Sequence, residues 1–175
     1  MKTQPITIFF DLEETLIESW EQPNWLSDNA EAIKTFIKIM YSAYKTPSVQ
    51  FGIMSWAIYD ADEKDQFKRR FAETIEDGLG IKLQDDLILS MDDWMSLVMR
   101  SSGLRISRDE IFEMANKETI LFWLLKASAA DFPTGKIYLI DDAVGHNDFM
   151  ESIEHDREIR LLNIKVLRAI GSGRY

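Results

Sequence analysis

Two acids follow the first apolar run of the chain, Ile6-Thr7-Ile8-Phe9-Phe10-Asp11-Leu12-Glu13-Glu14-Thr15-Leu16. Side chains alternate faces along an extended segment, so Asp11 and Glu13 point the same way. Carboxylates side by side repel each other, and a bound cation or a shared proton relieves the repulsion. A second acidic pair, Asp141-Asp142, closes a late apolar run, Lys136-Ile137-Tyr138-Leu139-Ile140. If the two strands run parallel in one sheet, all four acids meet at its carboxyl edge, where open α/β sheets bind ligands. Turns favour Asp, so one pair alone means little; two in this order and context mean more.

The elements that must position these acids alternate in type. Ile6 to Leu12 reads as a strand, 17–28 as a loop, and 29–45 as a helix with Ala32, Ile33, Phe36, Ile37 and Met40 on one face. Val49 to Ser55 reads as the second strand, followed by a polar helix over 61–77 that closes near Gly78 or Gly80. Leu87-Ile88-Leu89 suggests a short third strand, and 91–106 a helical turn or two. Ser107-Arg108-Asp109-Glu110 is a capping-box pattern, and Asn116 can cap the next helix. The fourth strand is expected over 137–141, then a helix near 147–155 and a strand near 159–167. Strands alternating with helices predict a three-layer αβα, Rossmann-like fold with a mostly parallel central sheet. One domain over 1–170 is expected, with short insertions near 17–28 and 91–106 and a loose tail at 171–175.

Composition narrows the function classes. The 175 residues are 46% hydrophobic, enough for one sizeable core. Thirty acids against 20 bases give a formal charge of -10, which disfavours duplex nucleic acid and anionic membrane. Lys68-Arg69-Arg70 is the one basic run and reads as a solvated helix face. There is no Cys, which excludes thiol chemistry, and two His make a His-based zinc site a poor fit. No apolar run approaches the roughly 20 residues that span a bilayer, and no signal-peptide pattern opens the chain. A cytoplasmic location is the expectation; the oligomeric state is open.

Asp11-Leu12-Glu13-Glu14-Thr15-Leu16 resembles the first motif of the haloacid dehalogenase superfamily of phosphotransferases, an apolar strand followed by Asp-x-Asp-x-Thr. It is especially similar to the Asp-Leu-Asp-Glu-Thr-Leu of the small phosphoprotein-phosphatase branch. Gly52-Ile53-Met54-Ser55 looks like the second motif, and Leu139-Ile140-Asp141-Asp142 like the fourth. The resemblance spans about residues 5 to 148, and the first and fourth motifs carry its specificity. The third motif is a single Lys. A helix preceding the fourth strand runs antiparallel to the strands, so its N-terminus lies near the acidic edge. Lys117 stands at that N-terminus. Lys126 lies about 13 Å further along at 1.5 Å per residue. Lys136 begins the strand, about 16 Å from its far end. Lys117 is therefore the choice.

The resemblance implies a Mg²⁺-dependent phosphatase with a small or absent cap, acting on a phosphorylated substrate of open class. Asp11 would attack phosphorus and form an aspartyl-phosphate. Asp11, the backbone carbonyl of Glu13, and Asp142 would ligate Mg²⁺, with Asp141 holding a water or Lys117. Ser55 would donate to the phosphoryl group, and Lys117 would neutralise its charge. Position 13 is usually Asp in these phosphatases and serves as general acid and base. Glu carries the same titrating group on one more methylene, and a reach error near 1 Å can cost around a hundredfold in rate. A slow phosphatase is one outcome; a catalytically impaired domain that binds a protein partner is the other. A phospho-accepting receiver domain fits less well: its acid pair ends the first strand and its acceptor the third, whereas here the late pair ends the fourth strand and the third ends in Leu89-Ser90.

Other residues invite a role. Trp56, beside Ser55, can border the substrate or pack beneath its loop. Trp20 and Trp25 can flank the mouth, although packing of the first loop is the plainer role. Trp94 with Met91, Met95 and Met99 can form a small lid; core packing is again plainer. His146, Asn147 and Asp148 follow the second acidic pair, Asn147 resembling a polar residue often found after the fourth motif and Asp148 reading as a helix cap.

Overall fold

The structure, a computed structural model, describes residues 5–44, 48–103, 107, 109–110, 113, 116–126, 132–144, 151–154 and 157–171. Six strands form one sheet: β1 (Ile6–Phe10), β2 (Val49–Ile53), β3 (Leu83–Ile88), β4 (Gly135–Asp141), β5 (Glu151–Glu154) and β6 (Arg157–Asn163). The described helices are α1 (Ser27–Tyr44), α2 (Ala61–Arg70), α3 (Ala72–Leu79), α4 (Met91–Ser102), α5 (Lys117–Lys126) and α6 (Ile164–Gly171). The strand order is β3-β2-β1-β4-β6-β5. The first five of these are mutually parallel, and β5 pairs antiparallel to β6 at the edge. The fold is thus the expected three-layer, Rossmann-like α/β arrangement. No described helix is long and apolar enough to cross a membrane.

The alternation of side chains divides the core in two. Ile6, Ile8 and Phe10 of β1 join Phe51, Ile53, Tyr138 and Ile140 on one face, under α1, α2, α3 and α6. Phe9 points the other way, with Ile137, Leu139, Ile159 and Leu161, under α4 and α5. Both faces of β1 are covered, so all five of its residues are buried and it reads as a continuous apolar run. Trp94 is fully buried on the second face, packed edge-on to Phe9 and Phe132, alongside Met91 and Met95. These residues are core rather than lid. Gly52 is required by close approach: a Cβ there would stand 2.6 Å from the Leu87 carbonyl oxygen and 2.7 Å from the Phe9 ring.

Several boundaries differ from expectation. The helix expected over 61–77 is two, broken at Phe71, whose φ of -123° takes it out of the helix. The ring of Phe71 packs 6.3 Å from Phe67 and 4.9 Å from Trp20, so tertiary contact decides the break. β3 begins earlier than the expected Leu87–Leu89, at Leu83, and ends at Ile88, leaving Leu89 outside; its acidic middle, Asp85-Asp86, is exposed on an edge strand. The segment expected as helix over 147–155 holds β5 at 151–154. The strand expected over 159–167 ends at Asn163, and α6 follows, burying Ile164 and Leu167. Ser107 and Glu110 exchange capping-box hydrogen bonds at 2.8 and 3.3 Å. His146, Asn147, Asp148 and the tail at 172–175 lie outside the described residues.

Candidate functional site

Strands β1, β2 and β4 deliver their last residues to one edge. The Phe10 carbonyl accepts from Met54 N–H at 3.0 Å, and Asp11 N–H donates to the Ile140 carbonyl at 2.9 Å. The ladder thereby continues past β1 and fixes Asp11 beside β4. Asp11 and Asp141 are buried, as is Ser55. Carboxylate oxygens of Asp11, Asp141 and Asp142 lie within 4.8 Å of one another.

Lys117 answers this charge. It is the first residue of α5, capped by Asn116, whose Oδ1 accepts from Thr119 N–H at 2.8 Å. Its Nζ lies 2.6 Å from Asp11 Oδ1 and 2.6 Å from Asp141 Oδ2, and it is buried with them. Lys136 sits at the opposite end of β4, where it pairs with Glu158 at 3.3 Å. Lys126 is the last residue of α5, a helix length from Asp11.

One cation does not neutralise three aspartates. Burial pushes the Asp11 carboxyl above its ordinary value; Lys117 opposes the shift, Asp141 adds to it, and a hydrogen bond with Ser55 opposes it. The Asp142 carboxyl is raised to about 6, first by desolvation, then by a hydrogen bond with Glu14 and the charges of Asp141 and Asp11. These are the marks of crowded carboxylates.

The acids line a cavity of about 490 Å³ together with Ser55, Trp56, Lys117 and the loop after β4. Trp56 therefore borders the cavity, and it also packs against the second core cluster. Trp20 and Trp25 are not among its lining residues. Trp20 packs on Phe71, and Trp25 lies so close to Gly78 that a Cβ there would meet it at 2.5 Å. Glu13 reaches the cavity, but its Oε1 accepts the Trp20 backbone N–H at 2.7 Å. Thr15 is fully buried and does not line the cavity.

Sequence reading missed the residues that hold the loops. Asn163, buried at the end of β6, donates to the Asp142 carbonyl at 3.0 Å and the Val144 carbonyl at 2.6 Å. Its Oδ1 accepts from Lys165 N–H at 2.9 Å, so it also caps α6. Buried Asn29 donates to the Glu14 and Thr15 carbonyls at 3.2 and 2.9 Å, holding the turn after β1. Glu14 and Glu118 also face the cavity. An Asn directly before an amphipathic run was the available signal for Asn163.

Compared with known proteins, the chain matches no family model, no curated protein and no solved structure.

Proposed function

We propose that the chain is a haloacid-dehalogenase-type phosphomonoester hydrolase that uses Mg²⁺ and forms an aspartyl-phosphate on Asp11. The observation that carries this reading is Lys117, 2.6 Å from both Asp11 and Asp141, beside buried Ser55 at the carboxyl edge of a parallel sheet. The donor set suits a hard divalent cation: three carboxylates converge, and among the described residues the cavity lining offers carboxylate oxygen but no sulfur or imidazole. Asp11, the Glu13 carbonyl and Asp142 would hold the ion, with Asp141 in support. When bound, it screens the repulsion between Asp11 and the phosphoryl oxygens.

The side chains divide the remaining work. An Asp11 oxygen forms a bond to phosphorus as the bond from phosphorus to the leaving oxygen breaks. Glu13 gives that oxygen its proton. Glu13 then takes a proton from the water that attacks the phosphoryl group, releasing inorganic phosphate and restoring Asp11. Ser55 donates to the phosphoryl group, and Lys117 balances its charge. The extra methylene of Glu13 makes turnover slow. With this reading go a phosphorylated substrate and the cytoplasmic location expected from the sequence.

One observation favours a second reading, a catalytically impaired domain that binds a protein partner. One of the two Glu13 oxygens is already engaged by Trp20 N–H. An aryl-phosphate assay in Mg²⁺ separates the two readings. For an enzyme, Glu13→Ala loses about 10² to 10⁴ in rate, Glu13→Asp retains or gains activity, and Asp11→Asn is inert. Mass spectrometry should detect a phospho-adduct on Asp11 in the wild type. Wild-type hydrolysis no faster than that of Asp11→Asn, with no adduct, would favour the impaired domain.

A further inference from the structure

The three aspartates of the site are not held alike. Asp11 is tied into the sheet, its N–H donating to the Ile140 carbonyl at 2.9 Å, and Asp141 is the last residue of β4. Both are buried against the Lys117 amine at 2.6 Å. Asp142 lies one residue past the strand and is only half-buried. The register of β4 against β6 ends at the pair Asp141 and Asn163, so the backbone that carries Asp142 leaves the ladder there.

Two side chains take over where the ladder stops. Asp141 Oδ1 accepts the Ala143 N–H at 2.7 Å, closing a tight turn around residue 142. Asn163 directs its amide hydrogens to the same turn, donating to the Asp142 carbonyl at 3.0 Å and the Val144 carbonyl at 2.6 Å. Its Oδ1 accepts the Lys165 N–H at 2.9 Å, so the amide cannot turn over without losing all three bonds. Asn163 is buried, and a buried amide engaged on both sides is a rigid brace. Capping α6 needs only an acceptor, which Ser, Thr or Asp would supply as well. The donors are what Asn adds, and both bonds go to the loop that carries Asp142.

We propose that Asn163 is a positioning residue for the divalent cation. Through the backbone of residues 142–144 it holds the Asp142 carboxylate in place, and so it sets the site's affinity for Mg²⁺ and its preference for Mg²⁺ over Ca²⁺. This role depends on the reading above for Asp142 as a ligand, and not on turnover. Mg²⁺ demands near-ideal octahedral geometry at about 2.0–2.1 Å, whereas Ca²⁺ accepts about six to eight oxygens in looser arrangements. A ligand on a loosened turn therefore penalises Mg²⁺ more than Ca²⁺. Groups that orient a metal's ligands are worth about 10- to 100-fold in affinity.

Calorimetry on the whole chain, well below unfolding, compares Mg²⁺ and Ca²⁺ binding by wild type, Asn163→Ser, Asn163→Ala and Arg157→Met. Asn163→Ser keeps an oxygen for the α6 cap but lacks the paired donors; Asn163→Ala lacks both. Each should lose about 10- to 100-fold in Mg²⁺ affinity and less in Ca²⁺ affinity. Asn163→Ser carries the test if Asn163→Ala fails to fold. Arg157→Met loosens the other end of the same strand and should bind both cations as wild type does. Unchanged Mg²⁺ affinity in the Asn163 variants, an equal loss for the two cations, or a matching loss in Arg157→Met overturns the role and leaves the cation site standing. A wild type that binds neither cation overturns both. Shifted affinities without wild-type turnover support the role and refute only the hydrolase.

Discussion

At the amino end of the sheet, Arg157 is buried as the first residue of β6. Its guanidinium donates to the Pro133 carbonyl at 2.9 Å and the Phe132 carbonyl at 3.0 Å, and lies 5.6 Å from the centre of the Phe132 ring. At the carboxyl end, Lys117 is buried between Asp11 and Asp141, with Asp142 and Glu14 beside them. The first charge donates to two neutral carbonyls. The second lies in a cluster with more acids than bases, and two of its carboxyls are driven upward in pKa. A buried charge that holds carbonyls in place is what structure can require; crowded like charges cost stability and make sense where a ligand completes the balance.

The comparison breaks most readily at Lys117. Lys117→Met removes the only cation beside the buried aspartates among the described residues, and breaking a buried pair in this way costs about 3–5 kcal/mol. Urea unfolding in EDTA should show that loss, and Mg²⁺ should restore part of it by supplying positive charge. Unchanged stability in EDTA would mean that the cluster carries little charge. Arg157→Met comes next, at about 2–4 kcal/mol, because it strands buried carbonyls. Its loss should be the same with and without Mg²⁺. A loss that Mg²⁺ reverses would contradict the division between the two ends.

The same division marks what the sequence made legible. β1 and β4 were plain, because central parallel strands are apolar runs and their terminal acids stand out. The resemblance called for a Lys, and helix direction chose Lys117 among three. The loop-holding amides did not, because Asn29 and Asn163 act on carbonyls 14 to 21 residues away and no local pattern records such a bond. The 159–167 segment misled because Ile159, Leu161 and Leu162 run on into Ile164 and Val166, hiding the switch to helix at Asn163. β5 carries too few residues to show a period, and its only partner in the sheet is β6. Phe71 breaks a helix through packing rather than through Gly or Pro, so no breaker residue marked it.

The smallest expected effect is the most direct measure of the contrast, and it compares two carboxyls within one protein. Asp142 is raised to about 6, by desolvation first and then by Glu14 and the neighbouring aspartates. Asp93 moves the other way. Partial burial pushes it up, but hydrogen bonds from Ser90 and the Lys64 ammonium at 3.1 Å outweigh this and hold it below its ordinary value. The signs follow from proton linkage. Asp142 binds its proton more tightly folded than unfolded, so its contribution is fully present below the unfolded value of 3.8 and is lost as pH rises through about 6. Asp93 contributes above its unfolded value of 3.8, and that contribution is lost as pH falls through its lower folded value. Both groups are partly exposed, so solvent screening keeps each effect to about 1 kcal/mol or less. In EDTA, the stability of Asp142→Asn relative to wild type should therefore rise between pH 4 and 7, while that of Asp93→Asn should fall as pH rises from about 2 to 5. Mg²⁺ should flatten the first difference and leave the second unchanged. Parallel curves for the two variants, or an equal response of both to Mg²⁺, would show that the acids at the carboxyl edge are no more crowded than an ordinary helix cap.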